Sequence, residues 1–109
     1  MREPLNKKVI CADGFMMSVQ ANENAYCSPR VNAATLYIEV EIGFPSDEEE
    51  LIMPWAESPG CPTDTVYAYV PTSVVTNVIA KHGGVVDGEV PAGVARLEPM
   101  NGREEIPEG

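Results

Sequence analysis

Three cysteines and one histidine are the residues here best suited to metal or covalent chemistry. Cys11, Cys27, Cys61 and His82 would make a Cys₃His set for zinc, but they stand 16, 34 and 21 positions apart. No Cys-x-x-Cys knuckle brings two thiolates together to nucleate a site. Cys11 falls within an apolar run and reads more simply as a small core residue. A thiol nucleophile would need Cys27 or Cys61 beside His82, the sole histidine, which reads instead as a helix C-terminal cation. The chain has no nucleophile elbow, phosphate-cradling glycine loop or metalloprotease histidine pair. The expectation is a protein without enzymatic activity, cofactor or metal.

Carboxylates are the more informative group. Residues 31–80 contain no lysine or arginine and eight acids, whereas residues 1–30 carry four bases against three acids. Most of the net charge of −10 therefore lies in the central segment. Glu39 and Glu41 alternate with Tyr37 on one face of an extended run, and Asp47, Glu48, Glu49 and Glu50 follow shortly after. Allowing 3.3 Å per strand residue and 1.5 Å per helix residue, six carboxylates would lie within ~20 Å. Such an array imitates the phosphates of a nucleic acid and would compete for a basic groove, with Tyr37 as a contact anchor. The plainer reading is a solvated face that keeps the protein soluble.

Arg30, in a proline-containing loop, forms a third group with Tyr67 and Tyr69. Arginine forks onto phosphate and tyrosine stacks on a base, so the three suit a small phosphorylated ligand. Alternatively, both tyrosines pack beneath Trp55.

The elements that would position these groups follow from periodicity. Asp13-Gly14 between two apolar runs predicts a hairpin of residues 9–12 and 15–20. The clearest strand is 35–42, with Leu36, Ile38, Val40 and Ile42 facing a core. Ser46 and Glu49 form a capping-box pattern that predicts a short helix ending near Met53, where Pro54 stops it. A strand over 65–70 places Val66, Ala68 and Val70 on one face and the tyrosines on the other. A second helix runs from a Thr72 or Ser73 cap to about His82, with Val74, Val75, Val78 and Ile79 on its buried side and Gly83 as its stop. Residues 94–98 suit an edge strand. The order predicts an α+β fold: a small, mostly antiparallel sheet with two short helices on one face. Residues 1–84 form one globular domain and 85–109 a C-terminal extension, partly mobile or an edge strand.

Composition narrows the partners. A pI near 4.3 argues against direct nucleic-acid binding, which needs clustered Lys and Arg. No run approaches the ~18 apolar residues of a membrane span, and the first ten residues lack the apolar stretch of a signal peptide. An odd cysteine count points to a reducing cytoplasm.

At Cys11-Ala-Asp-Gly-Phe-Met-Met-Ser-Val-Gln20, Tyr26-Cys-Ser-Pro-Arg30, Glu41-Ile-Gly-Phe-Pro-Ser46 and Val66-Tyr-Ala-Tyr-Val-Pro71 through Lys81-His-Gly-Gly84, the chain resembles small accessory proteins of unassigned function encoded by tailed phages and prophages. The likeness spans residues 9–84 and transfers no site residues. It implies a protein acting stoichiometrically on host machinery in the host cytoplasm, as anti-CRISPR and other anti-defence inhibitors do. The partner expected is a host protein or nucleoprotein complex with a basic surface. An oligomeric sponge for a nucleotide signal and a phage structural component are the alternatives, and a homo-oligomer is compatible with either.

Overall fold

The computed structural model describes residues 5–99, which form five strands, one α-helix and one 3₁₀ turn. Strands β1 (Val9–Cys11) and β2 (Met16–Gln20) make the hairpin that the Asp13-Gly14 turn predicts. β3 (Glu39–Gly43) pairs antiparallel with β2 and with β4 (Val66–Pro71), and β5 (Val85–Asp87) pairs antiparallel with β1. The spatial order is β4-β3-β2-β1-β5. Helix α1 (Thr72–Lys81) follows β4 directly and buries Val75, Val78 and Ile79. Those side chains meet Val9, Met17, Val19, Val40, Ile42, Tyr67 and Val70 in one apolar core. The fold is a small α+β arrangement on an antiparallel sheet, with one helix where two were expected.

The missing helix is explained by what its two capping residues bind instead. Ser46 does not cap: its hydroxyl accepts the Met16 N–H at 2.9 Å, while its own N–H donates to the Met16 carbonyl. Glu49 does not reach back to Ser46; it turns inward. The chain then advances through successive three-residue turns: Ile52 N–H to Glu49 O, Met53 N–H to Glu50 O and Trp55 N–H to Ile52 O. This tight winding ends in the 3₁₀ turn Met53–Trp55, where Pro54 lacks the N–H a longer helix would use. Helix α1 also lacks its expected cap, since Pro71 stands at that position and no side chain bonds to the first turn.

Two phase changes alter which residues face inward. Leu36 and Ile38 are 59% and 60% exposed, because β3 begins only at Glu39 and Tyr37 turns into the core ahead of it. Between the pairs Val40–Val70 and Ile42–Tyr67, Ala68 and Tyr69 of β4 oppose Glu41 alone, a bulge with Tyr69 in the left-handed region at φ 56°. The extra residue puts Tyr67 and Val70, rather than Val66, Ala68 and Val70, on the core side.

At the β1 side of the sheet the edge strand is Val85–Asp87, not residues 94–98, which are irregular although Val94 is buried. Gly83 and Gly84 leave α1 with φ of +91° and +95°, the left-handed stop read from the sequence. Gly88, at φ +108°, packs its α-carbon against the Lys8 backbone, where any side chain would collide. Residues 100–109 of the expected, partly mobile extension lie outside the described residues.

Candidate functional site

The acidic array divides once its residues are placed. Glu39 and Glu41 are half-buried, and their carboxylates are committed to holding residues 26–28: Glu39 accepts the Ser28 hydroxyl and Glu41 the Tyr26 N–H, each at 2.9 Å. A bridge between Ser28 and Glu39 fixes the same segment. Tyr37, expected as an exposed anchor, is buried; its hydroxyl donates to Val31 O at 2.7 Å and accepts the Ala34 N–H. Alternation placed it on the wet face, but the phase change ahead of β3 gives its ring a core position. None of these three is a free contact group.

Glu49 departs furthest from expectation. It is 1% exposed, although it lies in a run of four acids. Burying a carboxylate is costly unless it is paired and fully hydrogen-bonded. Here Oε2 accepts from Lys81 Nζ at 2.8 Å and Leu51 N–H at 2.9 Å, while Oε1 lies 2.7 Å from His82 Nε2. Burial alone would raise the Glu49 carboxyl, but its bonds to Lys81, Leu51 and His82 outweigh it and hold the group below the usual carboxylate range. The Lys81 ammonium is held above its usual range by the same bond.

His82 extends this cluster to the hairpin. Its Nδ1 lies 2.6 Å from Asp13 Oδ2, and its ring stacks on Phe15 at 4.1 Å between centroids. Partial burial works against the imidazolium, yet two flanking carboxylates raise His82 above the ordinary histidine value. Asp13 is lowered, first by the Phe15 N–H and then by His82. The sequence places Lys81 and His82 correctly at a helix end; it does not show that they converge on one acid from a distant loop.

The remaining acids, Asp47, Glu48 and Glu50, are exposed and make no ion pair among the described residues. The same segment exposes Phe44, at a left-handed φ of 48°, and Leu51. Three carboxylates and two apolar side chains thus share a loop tied down at Ser46 and Glu49. A surface of this kind can bind a basic partner, but it carries no nucleophile.

The proposed ligand group also divides. Tyr67 is fully buried, with its hydroxyl donating to Pro62 O. Tyr69 is exposed and meets Tyr26, a residue the sequence did not single out, at 6.0 Å between ring centroids. Arg30 lies over the Tyr26 ring at 5.4 Å. The bulge explains the difference, since it turns Tyr67 inward and leaves Tyr69 outside.

Cys11 and Cys27 are buried and Cys61 is exposed, all three as free thiols. Burial pushes the Cys11 thiol up to about 11, which disfavours the nucleophilic thiolate. Among the described residues, no group of three His, Cys, Asp or Glu is placed to hold a metal ion. Nor, among them, is any helix long and apolar enough to cross a membrane. A concavity of about 550 Å³ between the end of α1 and residues 97–99 has Glu98 as the one polar side chain in its lining. No family model, curated protein or solved structure matches the chain.

Proposed function

We propose that the protein is a stoichiometric binding protein whose acidic loop occupies a basic nucleic-acid-binding site on a host protein or nucleoprotein complex. One observation carries this reading. Of four consecutive acids, Glu49 alone is buried and pinned, so Asp47, Glu48 and Glu50 stand outward on a tethered support and make no ion pair among the described residues. Like charges crowded on a fixed loop repel one another, and a basic partner relieves that repulsion. Phe44 and Leu51 add apolar contact of the kind that forms the centre of an interface. Together with the resemblance to phage accessory proteins, this supports an inhibitor of host defence, anti-CRISPR-like in mode, acting in the host cytoplasm.

The test is charge reversal of the exposed acids only. Asp47→Lys, Glu48→Lys and Glu50→Lys together should abolish partner binding while leaving the fold intact. Unchanged binding by a folded triple variant would remove the proposal. Glu49 must be left alone, since reversing it would place a third cation against Lys81 and His82.

A second reading has one observation in its favour. Arg30, Tyr26 and Tyr69 form a contiguous exposed cation-and-aromatic group suited to stacking a nucleotide base. The Glu41 carboxylate at the Tyr26 N–H disfavours phosphate beside it. A nucleotide that raises the melting temperature of the wild type, but not of Arg30→Ala, would select this reading.

A further inference from the structure

His82 sits where three parts of the chain meet: the β1–β2 turn through Asp13, the acidic loop through Glu49 and the end of its own helix. A carboxylate can only accept a hydrogen bond, so an imidazole held at 2.6 and 2.7 Å between two carboxylates carries a proton on each nitrogen. The other titratable groups nearby are Lys81 on the second Glu49 oxygen, Glu50 close to Lys81, and the Cys11 thiol close to Asp13. The Cys11 thiol stays neutral because burial and Asp13 both oppose its ionisation. With both ring nitrogens protonated, two cations balance the two carboxylates of Asp13 and Glu49.

The two carboxylates differ in what they can do when that balance is lost. Glu49 is 1% exposed, so a lost donor there leaves an unsatisfied buried oxygen. The Asp13 side chain is 50% exposed and can turn to water at little cost. A neutral imidazole has one N–H to place, and the buried acceptor has the stronger claim on it.

We propose that His82 is a proton-operated latch: doubly protonated, it ties the β1–β2 turn to Glu49, and neutral, it keeps its Nε2–H on Glu49 and releases Asp13. Release is local. The backbone bonds from Asp13 N–H to His82 O and from Ala12 N–H to Gly84 O do not depend on the imidazole and persist in both states. What loosens is the Asp13 side chain and, with it, the bond from Phe15 N–H to Asp13 Oδ1. One carboxylate is then unbalanced beside the acidic loop, and the field facing a basic partner becomes more negative as pH rises. That last consequence rests on the binding function proposed above; the latch does not.

Because His82 is the only histidine, its ring nitrogens can be followed by nitrogen-15 NMR without assignment ambiguity. Over about pH 5 to 9 the expected course runs from a doubly protonated ring to the Nε2–H tautomer. The midpoint should lie above the ordinary histidine value. Amide exchange, corrected for its intrinsic pH dependence, should show Phe15 losing about tenfold protection or more with the same midpoint, as loss of one charge-assisted bond requires. Leu51, which donates to Glu49, should keep its protection throughout. In Asp13→Asn the midpoint should fall, and Phe15 exchange should no longer follow the His82 titration. An Nδ1–H tautomer, loss of Leu51 protection together with Phe15, or a midpoint unmoved by Asp13→Asn would each overturn the latch. Retention on immobilised poly-lysine across the same range separates the two ideas. A latch that titrates as described on a protein without retention leaves the latch standing and counts against the binding function.

Discussion

Glutamine in place of Glu49 keeps the shape of the side chain and removes the charge that three donors converge upon. Leu51 N–H, His82 Nε2 and Lys81 Nζ now share two carboxylate oxygens. The amide offers one acceptor oxygen and turns an NH₂ group towards the remaining donors. Lys81 is nearly half exposed, so water screens the loss of its partner and it is left out of the sum. The Leu51 and His82 bonds are each charge-assisted and worth roughly 1.5–3 kcal/mol, and the amide oxygen recovers part of one. The net loss is about 2–4 kcal/mol, a large share of the roughly 5–15 kcal/mol that holds a small domain together. At roughly 4–8 °C per kcal/mol, the melting temperature should fall by about 10 °C or more. Urea denaturation at neutral pH, with Glu48→Gln as the exposed neighbour, is the assay. Glu48→Gln should change stability by less than about 0.5 kcal/mol. If the two variants unfold at the same urea concentration, the buried cluster is not a stabilising unit.

Several further outcomes are expected. His82 is raised, so its contribution is complete below its ordinary value near 6.5 and is lost as pH rises through the raised value. Asp13 and Glu49 are lowered, so theirs is present above the ordinary carboxylate range and lost as pH falls through the depressed values. Urea midpoints across pH should therefore peak between these limits in the wild type, and the alkaline decline should vanish in His82→Gln; a decline of equal size in that variant would contradict the assignment. Leu36→Thr and Ile38→Thr should each cost less than about 0.5 kcal/mol, whereas Val40→Ala should cost about 1.5 kcal/mol or more. Equal costs at the three positions would restore a continuous strand from residue 35. Gly88→Ala should prevent folding at 37 °C, as judged by loss of dispersed amide signals, because its methyl group would collide with the Lys8 backbone at a φ that alanine resists.

The parts legible in the sequence are those set by local rules. The Asp13-Gly14 hairpin, the apolar stripe of α1 and the Gly83 stop each depend on residues close together in the chain, and each is present. The failures have long-range causes. Ser46 and Glu49 look like a capping box only while their side chains are assumed to be free; Met16, Lys81 and His82 claim them from other elements. Alternation misassigned Tyr37 and Tyr67 because each side-chain phase is reset, once ahead of β3 and once by the bulge at Tyr69. A period-2 pattern carries no mark of an inserted residue. The acidity of the centre was legible, but its division into one buried acid and three exposed ones was not. That division depends on Lys81 and His82, more than thirty positions away.

Asp47, Glu48 and Glu50 are proposed to form a contact surface which the buried Glu49 holds in place. Its most direct test is a parallel pull-down from host extract with the wild type and the Asp47→Lys, Glu48→Lys, Glu50→Lys variant, eluted first with a DNA oligonucleotide and then with salt. A basic nucleic-acid-binding protein should be retained by the wild type alone, displaced by DNA and released as salt rises. The same proteins retained equally by both, or a partner indifferent to DNA and salt, would contradict it.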